Sequence, residues 1–190
     1  MSDPPTAEPT PLESFRPFLG LLARLRIGRR LRGHLDPSDL VQQTLLRAHQ
    51  TASPPDGDDD GRRAAWLRRI LERTLLDEVR RVTRVKRGGG AARSLAAAID
   101  ESSSRLETFL AAPDLSPSQV AEGHERLIRL AQALEELSND QRQAVELHYL
   151  KGWTLAEVGR ELGRSKAAVA GLLRRGLRKL RGRLEPDKAD

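Results

Sequence analysis

The stretch TLAEVGRELGRSKAAVAGLLRRGLRKL, Thr154 to Leu180, decides how this 190-residue chain is read. Thr154 can cap a helix, and Glu157 stands three residues on, as a capping box requires. Leu155, Val158 and Leu162 then recur at helical spacing. Gly163 supplies the left-handed residue that lets a chain turn sharply at a helix end. Ser165 caps a second helix whose Val169, Leu172, Leu173, Leu177 and Leu180 face inward. Two short helices joined by such a turn form a helix-turn-helix. The residues left outside near its start are Lys166, Ala167 and Ala170, followed by Arg174 and Arg175. Small residues allow close approach to base edges, the positive helix end favours phosphate, and the cations pair with a nucleic-acid backbone. A plain helical hairpin in a bundle is the bland alternative; an acid-free, strongly basic second helix argues against it.

Charge along the chain supports a polyanion as partner. The net charge is +6, but it is concentrated. From Arg62 to Arg87 there are ten Lys/Arg against three Asp/Glu, and from Gly163 to Leu184 eight Lys/Arg and no acid. Two basic segments in an otherwise acidic chain predict two contact regions.

Working outward, Ser116-Pro117 is a cap and first-turn pair for a helix carrying Leu127, Leu130, Ala131, Leu134 and Leu137, and a further helix begins near Asn139. Upstream, apolar residues recur at helical spacing from Leu12 to Leu31. Asp36, Pro37 and Asp39 announce a second helix through Ala48. A third is expected over about Arg62 to Val85, with Trp66, Ile70, Leu71, Leu75 and Val79 on its apolar side. Residues 51–61 form an acidic Pro/Gly loop, and residues 88–120 are small, polar and interrupted, with a short weak helix at about Arg105 to Ala111. Few aromatics (3%) and few β-branched residues favour helix throughout. The expected fold is therefore all-α: a disordered lead at 1–11, a helical domain at 12–87, a flexible linker at 88–120, and a helix-turn-helix domain at 121–185.

Several functions are disfavoured. With no cysteine there is no disulfide, thiol catalysis or Cys-based zinc site. The four histidines (His34, His49, His124, His148) lack ligand spacing, Gly88 to Gly90 lacks the Lys-Ser/Thr of a phosphate loop, and no nucleophile stands with a base. No enzyme, metal or cofactor is expected. No run approaches the ~20 apolar residues of a membrane span, so a cytoplasmic protein without membrane contact is expected.

Three segments in order resemble one family. LEELSNDQRQAVELHYLKGWTLAEVGRELGRSKAAVAGLLRRGLRKLRGRL (Leu134 to Leu184) looks like the C-terminal promoter-reading domain of extracytoplasmic-function sigma factors. DLVQQTLLRAH (Asp39 to His49) is similar to the family's polymerase-binding helix, and WLRRILERTLLDEVRR (Trp66 to Arg81) resembles the helix that opens the duplex at the minus-10 element. The resemblance implies a factor that binds core RNA polymerase and directs promoter recognition, DNA melting and transcription initiation. It implies that Asp39, Gln42, Gln43, Leu46 and Arg47 dock on polymerase, with Gln43 standing where the family mostly has Glu. Arg62, Arg63, Trp66, Arg69, Arg73, Arg80, Arg81 and Arg84 would face the minus-10 strand. Thr154, Arg164, Ser165, Lys166, Ala167, Ala168, Ala170, Gly171, Arg174, Arg175 and Lys179 would face the minus-35 duplex. Arg73 replaces the family's usual Asn, and Ala170, Gly171 and Leu172 replace its usual Lys/Arg, Ser and Arg, which leaves a thinner base code and more to DNA shape. The chain's end six residues after Leu184 gives the expectation that regulation comes from another protein, an anti-sigma antagonist being the candidate. A stand-alone helix-turn-helix regulator is the alternative, which leaves Asp39 to Arg81 without a task; a polymerase-binding adaptor that touches no DNA is a third class.

Overall fold

Each helix begins where its sequence can satisfy the free N–H groups of a first turn. The computed structural model describes residues 11–28, 31, 33–51, 59–85 and 117–184, leaving aside the side chains of 83–85 and 117–121. A 3-10 turn at Leu12–Phe15 leads into α1 (Arg16–Arg26). Helix α2 (Pro37–Gln50) starts with the Asp36 side chain accepting from Ser38 N at 2.7 Å, and α3 spans Asp60–Val85. Helix α4 (Pro117–Glu135) is followed by α5 (Asn139–Val145), whose Ser138 and Gln141 form a reciprocal capping box. A π-helical turn at Glu146–Leu150 prolongs α5, then α6 (Leu155–Leu162) and α7 (Lys166–Leu184) close the order. Among the described residues there is no strand, in keeping with the all-α expectation. The lead at 1–10, most of the 51–61 loop, the weak helix at 105–111, the Ser116 cap and the segment 86–116 lie outside the described residues.

Two boundaries differ from the reading of the sequence. Helix α1 stops at Arg26 rather than continuing to Leu31, because Ile27 takes an extended conformation; Leu31 is buried all the same. Helix α3 begins two residues early. Asp59 Oδ1 accepts from Arg62 N at 3.0 Å, so part of the acidic run at 58–60 is spent on starting a helix.

Helices α1, α2 and α3 bury one apolar stripe each: Phe18, Leu19 and Leu22; Leu40, Val41 and Leu45; Leu67, Leu71 and Leu75. Each such side chain contributes about 1.5–3 kcal/mol relative to exposure. Arg26 is buried among them, its Nη2 donating to Glu72 Oε1 at 2.7 Å, while Arg68 Nε donates to the same oxygen at 3.0 Å. Helices α4 to α7 bury Leu134, Leu137, Val145, Leu147, Val158, Val169, Leu173 and Leu180. Gly176 lies where α7 crosses α5: a Cβ there would stand 3.2 Å from Val145 Cγ2. The two groups also meet. Helix α4 packs on α1 and α3, Phe18 touches His124 edge-on with centroids 6.5 Å apart, and the described helices share one hydrophobic core.

Candidate functional site

The helix-turn-helix is built by local chemistry. Thr154 N and Oγ1 each donate to Glu157 Oε2 at 2.8 Å, and Glu157 N donates back to Thr154 Oγ1 at 3.3 Å. Gly163 adopts φ 63° and ψ 37°, the left-handed conformation that closes α6. Ser165 Oγ accepts from Ala168 N at 3.2 Å and starts α7. The turn is tight because Gly159 has no side chain: a Cβ would fall 2.6 Å from the Arg164 carbonyl oxygen, the residue whose N–H donates to Gly159 O at 2.8 Å. Sequence reading missed Gly159, since its demand comes from a neighbour five residues on in a turn.

Helix α7 turns Val169, Leu173, Gly176 and Leu180 inward. At 3.6 residues per turn, Ala167, Ala170, Gly171, Arg174, Arg178 and Arg181 fall on the opposite side, and all are exposed but the half-buried Gly171. Lys166 and Arg175 flank this stripe and are also exposed. Arg178 and Arg181 were missed; their spacing of four and seven from Arg174 was the available signal. Two expected members turn toward the protein instead. Arg164 Nη2 pairs with Asp140 Oδ2 at 3.0 Å, and Lys179 Nζ donates to the Glu136 carbonyl.

Helix α3 carries a second cationic stripe. Arg62, Trp66, Arg69, Arg73 and Arg80 follow one helical face, the arginines exposed and Trp66 half-buried against the core. Arg63 is off this face: it is 7% exposed and turned inward near Asp60. Arg81 lies to the side and pairs with Glu78 at 2.7 Å. The side chain of Arg84 lies outside the described residues. Asp77, within the stripe, is engaged by Arg47 Nη1 at 2.8 Å.

On α2, Asp39, Gln42 and Leu46 point away from the core, Gln43 is half-exposed, and Leu46 is 57% exposed. Arg47 departs from this face, bonding Thr74 Oγ1 at 3.3 Å as well as Asp77, so it belongs to the α2–α3 joint. Among the described residues no cluster of His, Asp or Glu could hold a metal, and no helix is long and apolar enough to cross a membrane.

The family model described as "ECF sigma factor" matches residues 19–185. The ECF RNA polymerase sigma factor SigL of Mycobacterium tuberculosis is 31% identical over 144 residues, covering 75% of this chain and 71% of the relative. SigK of Mycobacterium ulcerans is 32% identical over 168 residues, 87% of this chain and 79% of the relative, and SigE of Mycolicibacterium smegmatis is 29% identical over 157 residues, 82% and 55%. With a family match from α1 to the end of α7, the chain belongs to the ECF sigma factor family, proteins that direct promoter recognition by RNA polymerase.

Proposed function

We propose that the chain divides promoter recognition between two helical units, the first at 12–87 and the second beginning with α4 at Pro117, four residues earlier than the sequence suggests, with a linker between them. The outer face of α2 (Asp39, Gln42, Gln43, Leu46) docks on core polymerase in the manner of an amphipathic helix presenting a limited stripe. The α3 stripe (Arg62, Trp66, Arg69, Arg73, Arg80) holds the melted minus-10 strand, phosphates on the guanidiniums offsetting the few kcal/mol that unstacking costs. The start of α7 (Ser165, Lys166, Ala167, Ala168, Ala170, Gly171) enters the minus-35 groove while Arg174, Arg175 and Arg178 take phosphates. The protein acts in the cytoplasm without catalysis of its own, and an anti-sigma protein is a candidate regulator.

The observation that carries this reading is the pair of exposed arginine stripes on separate helices, one beside a docking face and one behind a helix-turn-helix. A stand-alone regulator would need only the second. Run-off transcription with purified core polymerase and genomic DNA tests it: transcripts starting at discrete sites, dependent on the chain, are expected. Promoter duplex bound equally without polymerase, and no transcript with it, would favour the regulator.

A further inference from the structure

One carboxylate stands among the cations of the α3 stripe. Arg62, Trp66, Arg69, Arg73 and Arg80 recur at helical spacing, and Asp77 falls four residues after Arg73 and three before Arg80. Its side chain is 50% exposed. The other acids of α3 are engaged away from this face: Asp60 lies beside Arg63, Glu72 pairs with Arg26 and Arg68, and Glu78 pairs with Arg81. A bare carboxylate at position 77 would repel the phosphates that the arginines are placed to hold.

Asp77 is not bare. From α2, Arg47 Nη1 donates to Asp77 Oδ2 at 2.8 Å and to Thr74 Oγ1 at 3.3 Å, and Arg80 Nη1 lies 3.9 Å from Asp77 Oδ1. Thr74 is fully buried, and its hydroxyl donates to the Ile70 carbonyl at 2.8 Å, which fixes the direction of the oxygen on which Arg47 rests. Two guanidiniums thus face one carboxylate, and the local charge stays positive. As a folding contact an exposed ion pair contributes little. Its effect on the field of the stripe is larger, because a carboxylate without Arg47 would draw Arg80 to itself and away from the strand.

We propose that Arg47 is a positioning residue for the minus-10 contact: it neutralises Asp77, leaves Arg80 to the DNA and keeps the α3 stripe continuous. This role rests on reading α3 as the minus-10 contact. Arg47 thereby leaves the polymerase face, where the resemblance put it, for the DNA side of the α2–α3 pair. It touches no base or phosphate itself and acts through Asp77 and Arg80.

Holoenzyme assembled from core RNA polymerase and each variant is titrated with promoter DNA whose minus-10 region is held open by mismatches, and core binding is measured separately. Arg47→Ala is expected to weaken binding to the open promoter about two- to fivefold, the range for one exposed charge pair, with core affinity unchanged. Asp77→Asn is expected to bind as tightly as the parent or tighter. Arg47→Ala combined with Asp77→Asn is expected to return to the parent value, because the carboxylate that needed neutralising is gone. A purely structural pair gives the opposite pattern, a weaker Asp77→Asn and no rescue, and either result overturns the role. Arg16→Ala, at the start of α1, removes one member of an exposed pair with Glu13 outside both stripes, and is expected to leave binding unchanged. A loss equal to that of Arg47→Ala would reduce the effect to net charge and overturn the role as well. Loss of core binding in Arg47→Ala would return Arg47 to the polymerase face. Should Arg47→Ala fail to fold, Asp77→Asn alone decides, weaker binding being the refuting result. Arg73→Ala without effect on the open promoter overturns instead the reading of α3 on which the role rests.

Discussion

Gly159→Ala asks whether α6 and α7 are as close as the structure has them. In a helix, replacing Gly by Ala ordinarily stabilises by about 1 kcal/mol, because Gly loses more backbone freedom on folding. At Gly182 an added Cβ meets nothing within 4 Å, and at Gly171 its nearest neighbour is the movable Arg175 guanidinium at 3.3 Å. Both substitutions are expected to raise stability, by a few tenths to about 1 kcal/mol, with Gly182 at the lower end because the last turn frays. At Gly159 the same atom lands 2.6 Å from the Arg164 carbonyl oxygen. That oxygen belongs to backbone, and the turn bearing it is tied back by the Arg164 N–H to Gly159 O bond at 2.8 Å. The turn has to open by several tenths of an ångström, at a cost of about 1–3 kcal/mol for overpacking, which exceeds the propensity gain. Far-UV circular dichroism on heating should place the Gly159→Ala transition below the parent by up to about 8 °C, with the other two at or above it, taking about 2–4 °C per kcal/mol for a chain this long. A Gly159→Ala chain as stable as Gly171→Ala would refute the close approach and with it the angle at which α7 is presented.

Three further outcomes are expected. Arg174→Ala with Arg178→Ala should weaken promoter binding and lower the slope of log affinity against log salt by about 2, one for each phosphate no longer neutralised; an unchanged slope removes both from the DNA face. Leu46→Asp should abolish co-elution with core polymerase while leaving the melting curve in place, since a side chain 57% exposed stabilises little; retained co-elution refutes α2 as the docking face. Val169→Asp should unfold the helix-turn-helix, because Val169 is 0% exposed and an unpaired buried charge costs several kcal/mol; a native-like melt would mean α7 is rotated from the position described.

What was legible in the sequence is what is decided within a few residues. The Asp36 cap, the Thr154–Glu157 box, the Gly163 turn and the Ser165 cap are short-range hydrogen-bond chemistry, and each stands where its residue types predict. Charge was legible only as an amount. Arg63, Arg164 and Lys179 count toward the basic segments, yet Arg63 is buried and the other two are bound to Asp140 and the Glu136 carbonyl. Which face a cation takes depends on what packs beside it, and a tally of Lys and Arg does not contain that. Arg47 shows the same limit, because its partners Thr74 and Asp77 come from another helix. The π-helical turn at Glu146–Leu150 and the ion pairs that Arg24 makes across the fold had no local signature at all. Arg24 meets Glu135 and Glu146 across more than a hundred residues, and each of the three alone resembles a solvated helix residue.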